Sequence, residues 1–159
     1  MLQRLKPRRL RGLLLKYWLD QCDKLASAHM ELDEAKQQAL DHAATLYHQT
    51  DRNAADSILQ SQTMRPGNGG IAGPGIYFAT NRQLTTHKAH SRGVILQAKV
   101  SLGQILELGR DGDRSMTHAK LRALGKDSVC INRGITSGLE YVVYEADRVL
   151  EIREHSSAA

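Results

Sequence analysis

The chain has 159 residues, 41% hydrophobic and 25% charged, with a formal net charge of +5, which suits one globular domain able to bury its own core without metal or disulfide support. No apolar run is long enough for a transmembrane helix, so a soluble protein is expected. Cys22 and Cys130 lie far apart with no CxxC pair and no secretory segment, which excludes a disulfide scaffold, points to the cytoplasm or nucleus, and makes both thiols structural in expectation.

The charge is unevenly placed. Residues 1–19 hold Arg4, Lys6, Arg8, Arg9, Arg11 and Lys16 and no acid, a local +6 that leaves 16 basic against 17 acidic residues in the rest. Interleaved leucines make this stretch an amphipathic helix from Pro7, weakened by Gly12. Three readings stay open: an organelle-targeting segment, against which the absence of Ser counts; an arm for a membrane surface or RNA; and a solvated helix. Residues 20–44 continue as helix, a cover for a sheet. Thr45–Thr50 then reads as a strand with His48 near its exit, and Asp51 as the N-cap of a helix over Asn53–Gln60. The glycine-rich run from Arg65 to Ala72 lacks the Lys-Ser/Thr pair of a phosphate loop.

Gly73-Pro74-Gly75 ends that loop, and Ile76-Tyr77-Phe78-Ala79 begins a short buried strand, with Ile76 and Phe78 on one face and Tyr77 on the other. Tyr77 is then either an ordinary core residue or a stacking platform for a flat ligand. A helix through His90 comes next, capped by Thr80 or Asn81, then a strand over residues 93–100, a further strand piece at Leu106 and Leu108, and a polar turn at Arg110–Asp113. A helix over Met116–Leu124 stops at Gly125. Strands at Asp127–Ile131, Leu139–Tyr144 and Arg148–Ile152 complete the pattern, with Glu140, Val142 and Tyr144 on one face. Residues 153–159 read as a disordered tail. His87 and His90, with His42 and His118 elsewhere, are not expected to hold a metal: Cys usage is wrong for structural zinc, and histidines three apart on a short helix more often face solvent.

Three pieces of the chain, in order, resemble the catalytic domain of the poly(ADP-ribose) polymerase-like ADP-ribosyltransferases, of the diphtheria-toxin-like H-Y-E class. Leu46-Tyr47-His48-Gln49-Thr50 is similar to the strand bearing the family's His, Gly75-Ile76-Tyr77-Phe78-Ala79 to its Tyr strand, and Glu140-Tyr141-Val142-Val143-Tyr144 to the strand that opens with the catalytic Glu. Val100-Ser101-Leu102-Gly103 with Glu107-Leu108 resembles a middle strand. The resemblance covers about Thr45 to Ile152. It implies an α+β fold of split mixed and antiparallel sheets around an NAD cleft, with residues 1–44 as a basic N-terminal helical segment and 45–152 as the catalytic domain.

It also implies NAD as co-substrate, Glu140 as the catalytic residue, and an NAD site that draws on His48, Gln49, Thr50, Tyr77, Thr85 and Thr86. His48 would bind the adenine-side ribose, Tyr77 stack on the nicotinamide, and Glu140 hold the ribose 2′-hydroxyl and face the positive charge that develops as nicotinamide leaves. Two departures stand out. Gln49 occupies a position where the family has Gly, whose backbone grips the carboxamide; the contact survives if the Gln49 side chain points away. The segment Thr85-Thr86-His87-Lys88-Ala89-His90 lacks the family's second stacking Tyr; Thr85 or Thr86 would supply the hydroxyl to the carboxamide, and His87 or His90 cover the ring. The short loop Asn132–Gly138 before the Glu strand favours transfer of single ADP-ribose units over long polymer. Two alternatives stay open: a non-catalytic module for NAD or ADP-ribose, and a tRNA 2′-phosphotransferase-like enzyme, whose Arg-His-Arg-Arg set is not evident. The acceptor, protein or nucleic acid, is not readable.

Overall fold

The computed structural model describes residues 7–85, 93–134 and 137–155, with side chains from Leu14 onward. They fall into two compact units that divide between Asp41 and His42.

The first unit is one helix, α1 (Pro7–Asp41), 35 residues long, or about 52 Å at the rise of an α-helix. Pro7 stands at its first position, where a missing N–H costs nothing. No other proline interrupts it, and the helix runs through Gly12 because Leu, Lys, Ala, Glu and Gln dominate the remainder of its length. Side-chain pairs one turn apart line its surface, Lys24 with Asp20 at 2.9 Å and Gln37 with Asp41 at 2.9 Å, each worth a few tenths of a kcal/mol at roughly one helical turn. The two helical stretches expected from sequence are thus continuous. Cys22, expected to be structural, is exposed on this helix. Among the described residues no helix is long and apolar enough to cross a membrane.

The second unit is α+β. Its strands are β1 (Ala44–Thr50), β2 (Ile76–Ala79), β3 (Val94–Val100), β4 (Ile105–Leu108), β5 (Ser128–Asn132), β6 (Leu139–Val143) and β7 (Val149–Glu154), with helices α2 (Arg52–Ser61), α3 (Arg82–Thr85) and α4 (His118–Ala123) and a 3-10 turn at Ala146–Arg148. The strands form a mixed sheet in the order β4-β5-β6-β2-β1-β3-β7. Only β4 and β5 run parallel; every other neighbouring pair is antiparallel.

The sheet is pinched in the middle. β1 pairs with β3 along its whole length and β2 with β6 along its whole length, yet β1 and β2 meet at the single pair Tyr47–Ala79. The expected split into two sheets is therefore one hydrogen-bonded sheet that comes apart beyond that pair. Each half has its own core. Leu46, Phe78, Leu96, Val100 and Ile152 cluster in one; Leu121, Val129, Ile131, Val142 and Tyr144 in the other. Strict alternation on β3 buries Val94, Leu96, Ala98 and Val100, as a period of two requires. On β2 the alternation sends Ile76 and Phe78 into the first core and lets Tyr77 pack against the second.

The expected caps at Asp51 and Asn81 hold, and Thr117 adds one that was not expected. Asp51 accepts from the Ala54 N–H at 2.9 Å, Asn81 from Leu84 at 3.0 Å, and Thr117 from Lys120 at 3.2 Å. Several boundaries shift by a residue or more from those expected, and three of the shifts bear on the core and the sheet edge. Helix α4 starts after the Thr117 cap, shorter than Met116–Leu124, because Met116 is needed in the core. Arg148 belongs to the 3-10 turn, so β7 starts at Val149. Arg153 and Glu154, expected in a disordered tail, belong to β7 instead: they pair with Gln97 and Leu96 of β3, and Glu154 receives both guanidinium nitrogens of Arg52 at 2.9 and 2.8 Å, while residues 156–159 lie outside the described residues.

Candidate active site

A cleft of about 1010 Å³ opens where β1 and β2 part. Residues on both sides of the opening border it: His48, Gln49 and Thr50 from β1, Tyr77 and Phe78 from β2, and Glu140 from β6. Three stretches that are remote in sequence thus meet in one place, on three strands that are neighbours in the sheet. The pinch explains why the space exists. Continued pairing beyond Tyr47–Ala79 would have zipped residues 48–50 of β1 against 76–78 of β2.

His48 replaces part of that missing ladder with a side-chain bond. Its Nδ1 lies 2.8 Å from the Tyr77 carbonyl oxygen. A carbonyl only accepts, so Nδ1 carries the proton and donates, which leaves Nε2 as an acceptor. Burial lowers the imidazole pKa and outweighs the bond to Tyr77, which raises it. The ring is therefore neutral near pH 7. Its position is braced by Phe78, whose ring centroid is 6.0 Å away at 63°, an edge-on arrangement of the kind aromatic pairs favour.

The phenol of Tyr77 is occupied on both counts. It donates to the Gly73 carbonyl at 2.6 Å and accepts from the Ala72 N–H at 3.0 Å. Burial raises its pKa, with the charge of Glu140 adding to the effect. What Tyr77 can offer a ligand is the face of the ring, not acid–base chemistry. Tyr144 donates to the Ala72 carbonyl at 2.6 Å, so two phenols tie down the loop that leads into β2. Gly70 has to be glycine here, because a Cβ would collide with the Tyr77 hydroxyl.

Glu140 is 7% exposed, held between Ala79 of β2 and Ile131 of β5. Because Ala79 faces Glu140 and Tyr77 faces Val142 across the same ladder, the carboxylate and the Tyr77 ring lie on one side of the sheet. Gln49 borders the cleft, and its Oε1 is buried with no hydrogen-bond partner among the described residues; leaving such an acceptor unsatisfied costs about 1–3 kcal/mol.

Thr85 is buried and borders the cleft, but its hydroxyl proton goes to the Arg82 carbonyl at 2.6 Å. Expected as a donor, it is left with acceptor capacity only. Thr86, His87 and His90 lie outside the described residues. Among the described residues no group of three His, Cys, Asp or Glu side chains could hold a metal ion.

Three cleft residues escape a reading of the sequence: Arg65, Arg114 and Arg133. Each comes from a different loop, so no spacing announces them. Together with the one carboxylate of Glu140, they give the residues bordering the cleft a net positive charge. No family model and no curated protein matches the chain.

Proposed function

We propose that the protein is an NAD-dependent ADP-ribosyltransferase. The observation that carries the reading is the meeting of His48, Tyr77 and Glu140, from three separated stretches, at one cleft. Charge supports it as well. NAD has a dianionic pyrophosphate at its middle and a cationic nicotinamide at one end, and the cleft pairs three arginines with one buried carboxylate.

In this reading the Tyr77 ring stacks on the nicotinamide, contributing about 0.5–1.5 kcal/mol beyond area burial. The Gln49 backbone, at the border of the cleft, holds the carboxamide, and Nε2 of His48 accepts from a ribose hydroxyl. The arginines neutralise the pyrophosphate. Reaction breaks the bond between ribose C1′ and the nicotinamide nitrogen; the bonding pair leaves with the nitrogen, so nicotinamide departs neutral. Positive charge builds on C1′ and the ring oxygen, and Glu140 stabilises it in a site with little water to screen the effect. An acceptor hydroxyl, amine or carboxylate then bonds to C1′ and gives up its proton if it has one, with single ADP-ribose units as the product.

Labelled NAD separates transfer from binding. Glu140→Gln keeps the shape and removes the charge, so we expect NAD affinity to stay within a few-fold and transfer to fall by about 10² or more. Equal transfer by wild type and variant would refute the assignment of Glu140. NAD binding with no transfer by the wild type would leave a non-catalytic NAD-binding module.

A further inference from the structure

Helix α1 exposes many large apolar side chains that the proposed chemistry does not use; Leu15, Tyr17, Leu19 and Met30 are scattered around it, and four others fall at regular spacing. Leu14, Trp18, Leu25 and Leu32 are 55%, 65%, 72% and 66% exposed. Large exposed apolar surface of this kind marks an interaction site. The four recur at spacings of four, seven and seven, and small residues fill the alternate positions: Ala28, Ala35 and Ala39, with Gln21 as one polar member. Positions 14–39 therefore follow the 4-3 spacing of a coiled-coil seam, apolar or small everywhere but at Gln21.

The seam is graded in two ways. Bulk is concentrated toward the start, at Leu14 and Trp18, and small residues toward the end, at Ala28, Ala35 and Ala39. Charge is graded too: residues 1–19 hold six basic residues and no acid, whereas residues 20–41 hold six acids and two lysines. Two copies side by side in parallel would set Trp18 on Trp18, alanine on alanine and basic half on basic half. Reversing one copy meets both demands. With Trp18 facing Ala28, Leu14 faces Leu32, Gln21 faces Leu25, and the acidic run Glu31-Leu32-Asp33-Glu34 comes opposite residues 12–15, which Arg11 and Lys16 flank.

We propose that α1 is the interface of an antiparallel homodimer, in which the basic half of one helix lies along the acidic half of its partner. Charge fixes the orientation, and the Trp18–Ala28 fit fixes the register.

Sedimentation equilibrium of the full chain tests association, and pulsed electron–electron resonance tests orientation. The wild type should be dimeric at about 50 μM in low salt, with the dissociation constant weakened tenfold or more near 1 M salt, where the Debye length is about 3 Å. Leu25→Asp combined with Leu32→Asp should give monomers with unchanged unfolding of the sheet unit. A spin label at Gln37→Cys in a Cys22→Ser background should report about 40 Å between copies, set by the 1.5 Å rise along reversed helices, against about 10 Å for parallel helices. A monomeric wild type, a dimer that survives the double substitution, or the short distance would each overturn the proposal. So would a monomer whose helix binds anionic vesicles or RNA.

Discussion

His48 links protonation to the stability of the fold. Burial holds its pKa below the usual 6.5, so on acidification the unfolded chain takes up a proton before the folded one does. Its contribution is complete above about pH 6.5 and is lost as the pH falls from there through the lowered folded value. Urea midpoints should therefore decline between about pH 7.5 and 5.5, and His48→Gln, which has nothing to protonate, should show a shallower decline in that window. Identical declines would mean that another group dominates. Tyr77 divides differently. Tyr77→Phe keeps the ring but removes the bonds to Gly73 and Ala72, so it should lower stability by about 1–3 kcal/mol and leave NAD affinity largely intact. Tyr77→Ala should weaken NAD binding itself; titration calorimetry on the two variants reads the difference.

Between elements, one carboxylate does most of the stapling. Asp127, at the entrance to β5, accepts from the Gln104 N–H at 2.8 Å, from Arg122 at 2.7 Å and from Arg148, which also reaches Glu145 at 3.2 Å. The lead-in to β4, the end of α4 and the turn before β7 thus converge on it. The Gln104 bond is the first cause of its lowered pKa, ahead of the arginines. Its stabilisation is present above the unfolded value near 3.9 and disappears as pH falls through the lower folded one. Asp127→Asn should cost about 1–2 kcal/mol at pH 7, the lower part of the range for charge-assisted bonds because the group is partly exposed. A denaturation midpoint equal to wild type would show that the staple is redundant.

These elements are legible in the sequence to different degrees. Alternation in Val94–Val100 and Glu140–Tyr144, and the Asp51 and Asn81 caps, are local signals, and each holds in the fold. The separation of β1 from β2 is a property of register between strands that are distant in sequence, which no local pattern encodes. The arginines of the cleft, coming from three loops, are unreadable for the same reason. Gln49 stands out as a departure from the family pattern, but whether its side chain meets the cleft depends on that separation.

At the scale of the molecule, the sheet unit contains everything the proposed chemistry needs. Both hydrophobic clusters and every residue bordering the cleft, from Tyr47 to Glu140, lie beyond His42. Residues 42–159 carry 14 basic and 11 acidic residues, so they retain a positive balance without the basic stretch at the start. Deleting residues 1–41 should accordingly leave a cooperatively unfolding protein that binds NAD within about threefold of the full chain, since the cleft arginines proposed to neutralise the pyrophosphate remain. The same truncation should sediment as a monomer, because the seam of α1 has gone. Calorimetric NAD titration and sedimentation of the truncated chain report on the two expectations separately. A folded truncation whose NAD affinity drops tenfold or more would mean that α1 takes part in the ligand site, and would contradict the assignment of that site to the sheet unit alone.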